Sequence, residues 1–161
     1  MESRWDAPLG ARPELWLPEV GTVRVTVRGD SMVPNLREGE QVEVRAAARG
    51  VLEPGDLVVF PRAGELTVHR LIARREEGFL EMGDGQGRGN WQPWPPALGL
   101  AVVLLRTGSP LFDLRTPEAR RSAALLARRL RRRHRAVRLA EALPGELLGR
   151  IVLGMLRPVL Y

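Results

Sequence analysis

Residues 22–28, Thr-Val-Arg-Val-Thr-Val-Arg, run directly into Gly29-Asp30-Ser31-Met32-Val33-Pro34-Asn35-Leu36. In the first segment valine alternates with polar residues, and this period of two is typical of a β-strand with one buried face. In the second segment Gly29 allows the backbone to turn after the strand, and Pro34 stiffens the turn that follows. The pattern therefore predicts a serine presented on a defined turn at the exit of a strand.

Similar strand-like segments recur along the chain, at residues 41–45, 57–60, 66–72, 79–82 and 100–105. Turn signals rich in glycine, proline and acidic residues separate them, and the longest predicted loop covers residues 83–96. Short strands at close spacing, with few helical runs between them, are typical of β domains. We therefore predict a mainly β fold, with a compact β domain over residues 15–115.

The pattern changes at Thr116-Pro117-Glu118, which has the features of a helix start. Threonine can cap the helix, proline suits its first position, and glutamate interacts favourably with the positive end of the helix dipole. A helix is predicted from there to about Leu143, and a second, apolar helix over residues 146–156. Residues 116–161 are thus interpreted as a helical, arginine-rich C-terminal extension of the β domain.

The basic residues of this chain are all arginine: it has 25 arginines, no lysine and a net charge of +6. The charge is uneven, since residues 116–161 carry +8 and residues 1–115 carry −2. Cysteine is absent, so disulfides, thiolate metal sites and cysteine nucleophiles are excluded. The two histidines, His69 and His134, lack the spacing of metal ligands, and no metal or other cofactor is predicted.

Neither an export signal nor a membrane-spanning helix is evident in the sequence. The N-terminus carries acids and a proline where a secretory signal has a basic start and an apolar run, and arginines interrupt the apolar stretch at residues 146–161. We expect a cytoplasmic protein, either free or attached peripherally to a membrane. The C-terminal arginines suggest an anionic membrane surface as a partner, whereas nucleic acid is not the expected one.

Ser31 is the candidate nucleophile. A serine hydroxyl becomes reactive when a base lies within hydrogen-bonding reach and backbone amides stabilise the oxyanion. No lysine can serve, and His69 stands on a strand-like segment, so a Ser31/His69 dyad is predicted, with the Ser31 amide as oxyanion donor. Met32 and Pro34, beside the serine, are predicted to contact the substrate.

A resemblance to a known superfamily supports this prediction. It rests on Gly29-Asp30-Ser31-Met32 with Pro34 and Leu36, on Pro54-Gly55-Asp56-Leu57-Val58-Val59-Phe60, and on Val68-His69-Arg70. Over about residues 22–105, these motifs resemble those of type I signal peptidases and self-cleaving SOS repressors. The resemblance implies a serine peptidase in which Ser31 attacks the peptide carbonyl.

The base of this superfamily is lysine in most bacterial members and histidine in the endoplasmic-reticulum type, and Val68-His69-Arg70 is similar to the latter. That branch has a Gly-Asp motif after the histidine, matched by Gly83-Asp84, and then a second aspartate. Asn90 stands at the best match to this second acid. Asp84 is therefore predicted to orient His69, in a protein that resembles the soluble members of the superfamily.

The predicted activity is a serine endopeptidase that cleaves a peptide or precursor protein, in signal or leader processing, through an acyl-enzyme. Two alternatives stay open at this point. One is an inactive module that keeps the peptide-binding groove, and the other is a membrane or nucleic-acid adaptor that acts through the basic C-terminal extension.

Overall fold

The computed structural model describes residues 22–62, 65–95, 98–105 and 112–142. Within these ranges the chain forms eight β-strands and one long α-helix. The strands are β1 (Thr22–Thr26), β2 (Gln41–Ala46), β3 (Leu57–Arg62), β4 (Glu65–Arg75), β5 (Gly78–Met82), β6 (Asn90–Pro93), β7 (Gly99–Leu105) and β8 (Phe112–Asp113). The helix is α1 (Pro117–Glu141), and a short 3-10 helix covers Arg49–Val51. The predicted mainly β fold with a C-terminal helix is confirmed.

All strands belong to one antiparallel sheet in the order β1-β2-β7-β3-β4-β5-β6, with β8 paired to β7. Because β3, β4, β5 and β6 are consecutive neighbours, this half of the sheet is a meander. The register shifts between Leu71 and Ala73, where β4 holds one extra residue relative to β5. Strand β4 thereby changes its pairing with β5 close to His69.

The predicted strands are all present, and two further strands were missed. Strand β6 lies inside the predicted 83–96 loop, because its four residues, Asn-Trp-Gln-Pro, are too few for a clear strand pattern in a segment rich in glycine and proline. It forms by pairing with β5, from Glu81 opposite Asn90 to Gly78 opposite Pro93. A Cβ atom at Gly78 would lie 2.1 Å from the Gln92 carbonyl oxygen, so only glycine permits this approach. Strand β8 has only two residues, too few for a pattern.

The core has three clusters. The first joins β1, β2 and β7 to the turn that follows β1, through buried residues such as Val42, Met32 and Leu36. The second lies on β3–β5, where Phe60 and Phe79 meet edge to face at 5.2 Å between ring centroids. The third is formed between β4, β5 and α1. The first cluster anchors the serine turn, and the third holds the helix on the sheet.

The helix α1 begins as predicted, with the Thr116 hydroxyl oxygen accepting a hydrogen bond from the Ala119 amide at 3.2 Å. Its inner face packs Ala127 and Leu130 against the sheet. Burial of a leucine side chain of this kind stabilises a fold by about 1.5–3 kcal/mol. A Cβ atom at Gly55 would lie 2.8 Å from the backbone of Ala123, so the turn before β3 touches the helix directly. The C-terminal helix is thus packed on the β domain.

The second predicted helix, over residues 146–156, lies outside the described residues. Among the residues that are described, no helix combines the length and the apolar character required to cross a bilayer.

Candidate active site

Ser31 lies on a tight turn after β1. Gly29 has φ 74°, in the left-handed region that glycine tolerates best, and it redirects the chain after the strand. The Leu36 amide then donates to the Met32 carbonyl oxygen at 3.0 Å. Met32 and Leu36 are 2% and 1% exposed and fix the turn in the core, whereas Ser31 is partly exposed. The buried side chains of Met32 and Leu36 therefore hold the turn in place while it presents the serine hydroxyl at the surface.

The structure differs from the sequence-based expectation for one residue of the predicted substrate groove. The Met32 side chain points into the first core cluster instead of towards a groove, because its apolar surface replaces water contact with packing against the sheet. Pro34 is exposed, and its peptide bond with Val33 is cis. Of the two predicted groove residues, only Pro34 thus has an accessible side chain.

The loop Gly83-Asp84-Gly85 holds the serine turn from the other side. The Gly85 amide donates to the Ser31 carbonyl oxygen at 3.0 Å, and Asp84 accepts a hydrogen bond from the Asn35 side chain at 2.9 Å. A Cβ atom at Gly83 would lie 2.4 Å from the Ser31 carbonyl oxygen. Glycine is therefore required for the close approach of this loop to the serine.

Asp84 is placed differently from the expectation that it orients His69. Its two carboxylate oxygens accept hydrogen bonds from Arg70, at 2.7 Å from Nε and 2.6 Å from Nη2. Arg70 also donates to the Gly55 carbonyl oxygen at 2.6 Å. Successive side chains of a strand point to opposite faces, so Arg70 carries Asp84 on the face of β4 away from the His69 imidazole. Asp84 thus links the serine turn to β4.

His69 and Ser31 are brought together, as the sequence predicts. The His69 Nε2 atom lies 3.1 Å from the Ser31 Oγ atom, within hydrogen-bonding distance. His69 is buried on β4, and the ring of Phe60 lies edge-on to its imidazole at 6.4 Å between centroids. Two side chains 38 residues apart in sequence are therefore brought into contact by strand β4 and the serine turn.

The second nitrogen of the imidazole, Nδ1, is hydrogen-bonded to the carboxylate of Glu81 on β5. The pairing of strands explains this contact. Glu81 lies opposite Leu71 in the β4–β5 register, and His69, two residues before Leu71, is on the same face. Such diagonal neighbours on adjacent strands are within reach of long side chains. The three side chains Ser31, His69 and Glu81 thus form a continuous chain of hydrogen bonds.

Glu81 is fully buried, with 0% of its surface exposed, and three donors besides His69 point at its carboxylate. The Oε1 atom accepts from Asn90 at 3.2 Å, from Gln92 at 3.3 Å and from Arg62 at 3.4 Å. Asn90 and Gln92 alternate on β6 and therefore share the face of the sheet that carries Glu81. Both oxygens of this buried carboxylate therefore accept hydrogen bonds, three at Oε1 and one, from His69, at Oε2.

These donors keep Glu81 ionised. Burial alone would raise the pKa of the Glu81 carboxyl, but the hydrogen bond and the charge of His69, together with the hydrogen bonds from Gln92 and Asn90, outweigh it. The net effect is that the pKa of Glu81 lies below its usual value. The carboxylate is thus negatively charged at neutral pH, where it can stabilise an imidazolium.

Sequence reasoning does not single out Glu81, because this residue lies in the otherwise apolar segment 79–82, which has the features of a strand and no motif for a catalytic acid. The signal available in the sequence is a single charged residue among apolar neighbours in a predicted strand. Asn90, the best match to the second acid that the superfamily resemblance implies, donates a hydrogen bond to the Glu81 carboxylate. The amide at 90 and the carboxylate at 81 are therefore complementary.

The Ser31 amide remains the candidate oxyanion donor. Among the described residues, no acceptor takes a hydrogen bond from this amide, so it is available to a substrate oxygen. The described residues also contain no group of three or more histidine and carboxylate side chains that could hold a metal ion. The arrangement can perform nucleophilic chemistry on a carbonyl with its own side chains.

The helix α1 reaches the loop that leads from the site to β6. The Gly89 amide donates to the Nδ1 atom of His134 at 3.2 Å, and Arg88 forms an ion pair with Glu141 at 3.1 Å. Burial, followed by the positive charges of Arg138 and Arg88, lowers the pKa of His134. His134 is therefore neutral at pH 7 and acts as a hydrogen-bond acceptor for the loop.

Comparison with known families supports the superfamily resemblance at a coarse level. A model of the Peptidase S24-like family matches residues 11–82, which include Ser31, His69 and Glu81. The match suggests serine-peptidase activity in general, and it ends before Asp84 and the helix α1. No curated protein and no solved structure matches the chain.

Proposed function

We propose that this chain is a serine endopeptidase of the histidine-base type, with Ser31 as nucleophile, His69 as general base and Glu81 as the residue that orients His69. The observation that carries the proposal is the hydrogen-bonded series from Ser31 Oγ through the imidazole to the Glu81 carboxylate. The Peptidase S24-like match over the same residues supports a peptide bond as the substrate.

The proposed reaction begins with attack of Ser31 Oγ on the peptide carbonyl carbon. His69 Nε2 takes the hydroxyl proton, and the carbonyl oxygen becomes an oxyanion that accepts a hydrogen bond from the Ser31 amide. The C–N bond then breaks, the leaving amine takes the proton from His69, and an acyl-enzyme ester remains. Water attacks this ester, again with His69 as base, and releases the acid and free Ser31.

In each of these steps Glu81 orients the His69 imidazole and stabilises its protonated form. Its hydrogen bond at Nδ1 leaves Nε2 as the acceptor that faces Ser31, and its charge stabilises the imidazolium formed after proton transfer. Asp84 serves a different purpose in this proposal. Its contacts with Arg70 and Asn35 fix the serine turn relative to β4, so it positions the nucleophile.

The test is covalent labelling by a fluorophosphonate, which reacts with activated serines, measured by intact mass. The wild type is compared with Ser31→Ala, His69→Ala and the control Ser122→Ala, which removes an exposed serine from α1. We expect one adduct on the wild type and on the control, and none on the two site variants.

Two results would contradict the proposal. One is an adduct that persists in Ser31→Ala, because the reactive serine would then lie elsewhere. The other is a folded wild type that takes up no label between about pH 6 and 9 and cleaves no peptide in a mixed peptide library. The second result would favour a binding module that retains the groove without turnover.

A further inference from the structure

The outer face of α1 carries a stripe of arginine and leucine that the proposed catalysis does not use. The residues of this stripe follow one another at alternate intervals of four and three positions, so they lie on one face of the helix. That face is opposite the one that packs on the sheet. This stripe, called here the outer stripe, consists of Arg121, Leu125, Arg128, Arg132, Arg135 and Leu139. All six side chains are exposed. From first to last they span about 27 Å of helix.

The outer stripe is cationic without internal compensation. It contains four arginines and no acid, and α1 as a whole has nine arginines and two glutamates. In the described part of the chain, no carboxylate lies within ion-pairing distance of these four arginines. Their guanidinium groups are thus free to meet a surface that is densely negative.

The two leucines distinguish between the negative surfaces that an arginine stripe could meet. Leu125 is 57% exposed and Leu139 is 68% exposed, although large apolar side chains on a helix normally face the core. Each lies one helical turn from an arginine of the stripe. Phosphates of a nucleic acid would pair with the arginines and leave the leucines in water. A lipid interface takes both, because arginine stems extend to the headgroups while leucine enters the acyl boundary.

From this pattern we propose that the outer stripe of α1 is a binding surface for anionic phospholipid bilayers. The helix lies flat on the membrane, with its inner face on the sheet and its outer stripe in the headgroup layer. The proposal does not depend on catalysis, since it concerns the face of α1 that points away from the site. A protein bound in this way would be attached to the membrane surface by many weak contacts, each sensitive to salt.

The test is co-sedimentation of the full chain with vesicles of phosphatidylcholine containing 30 mol% phosphatidylserine, and with vesicles of phosphatidylcholine alone. One variant carries glutamine at Arg121, Arg128, Arg132 and Arg135. A matched control removes the same charge from exposed arginines of the β domain, by glutamine substitution at Arg24, Arg28, Arg37 and Arg49. A third variant carries Leu125→Gln and Leu139→Gln. Circular dichroism verifies the fold of each variant.

Each basic residue near an anionic surface contributes about a fivefold factor in partitioning. We therefore expect the outer-stripe variant to lose about 100- to 1000-fold in affinity for the anionic vesicles, and the control to lose much less. The leucine variant should lose about tenfold, from apolar surface that no longer leaves water. Binding should also fall steeply as salt rises from about 0.1 to 0.5 M.

Three outcomes would overturn the proposal. The first is a wild type that fails to sediment with anionic vesicles. The second is equal weakening by the outer-stripe variant and its control, which would assign the effect to overall charge. The third is binding to a short RNA or DNA duplex that exceeds vesicle binding and is unchanged in the leucine variant, which would assign the stripe to nucleic acid.

Discussion

Replacement of Glu81 by glutamine is the sharpest test of the site, because it changes the charge and one atom and leaves the volume nearly constant. The Oε1 atom of Glu81 accepts hydrogen bonds from Asn90, Gln92 and Arg62, which are all donors. A glutamine keeps these bonds only if its carbonyl oxygen faces them. Its amide group then faces the Nδ1 atom of His69.

This orientation of the glutamine amide moves the imidazole proton of His69 from Nδ1 to Nε2. An amide NH at position 81 requires Nδ1 of His69 to be an acceptor, so the proton moves to Nε2, where it faces Ser31 Oγ. A protonated Nε2 cannot take the hydroxyl proton of Ser31. In a Ser/His/carboxylate triad, exchange of the carboxylate for its amide lowers kcat by about 10⁴, and we expect a loss of about 10³- to 10⁴-fold here.

The assay is the second-order rate of fluorophosphonate labelling across pH, with peptide cleavage once a substrate is known. Loss of the charged acceptor should lower the free energy of unfolding by about 1–3 kcal/mol. Glu76→Gln makes the same chemical change at an exposed turn and should label at the wild-type rate. Labelling of Glu81→Gln at the wild-type rate would refute the assignment.

Three further predictions concern the framework of the site. Asp84→Asn leaves Arg70 buried with a neutral partner and should lower the free energy of unfolding by about 3–5 kcal/mol in urea titrations, with labelling of the folded fraction reduced far less than in Glu81→Gln. Gly55→Ala places a methyl group against the Ala123 backbone at a φ of 114°, so the thermal midpoint should fall by several degrees, about 2–4 °C per kcal/mol; an unchanged midpoint would contradict this contact. The third prediction concerns His134, whose pKa is lowered in the folded protein. The stability contributed by neutral His134 is therefore complete above about pH 6.5, the usual pKa of histidine, and is lost as the pH falls towards the pKa of the folded state. His134→Asn keeps an acceptor near Nδ1 and should lose less stability than the wild type on acidification from about pH 7.5 to 5.5.

The fold could be predicted from the sequence largely because its strands carry local signals. The valine alternation of β1 and the Thr116 cap of α1 depend on neighbours in the chain, and both are confirmed. Strand β6 has only four residues within a segment rich in glycine and proline, so its local signal is too short to identify a strand, and its pairing with β5 defines it. This strand therefore depends on contacts that are distant in the chain.

The candidate site shows the same division between local and non-local information. Ser31 and His69 each stand in a recognisable motif, and the structure brings them into contact. The partner of His69 depends on which residue of the next strand lies diagonally opposite, and the extra residue in β4 sets that register. Glycine and aspartate at 83–84 are a stronger local pattern than a lone glutamate in an apolar strand. That pattern favoured Asp84, whereas the register selects Glu81.

A carboxylate partner such as Glu81 suits a histidine base, whereas it would inactivate a lysine base, and this chain has no lysine. A lysine base is reactive when burial disfavours its charged form, and a nearby carboxylate would oppose that effect by stabilising the ammonium. A histidine base has two nitrogens, so it needs a partner that holds the proton at one nitrogen and leaves the other as acceptor. A fully buried, ionised glutamate would destabilise the fold without compensation, and four donors provide that compensation here. Substitution of His69 by lysine should therefore produce a buried Lys–Glu ion pair with a protonated, unreactive amine. Fluorophosphonate labelling of Ser31 should then be lost, and it should return only if Glu81 is also replaced by a neutral residue.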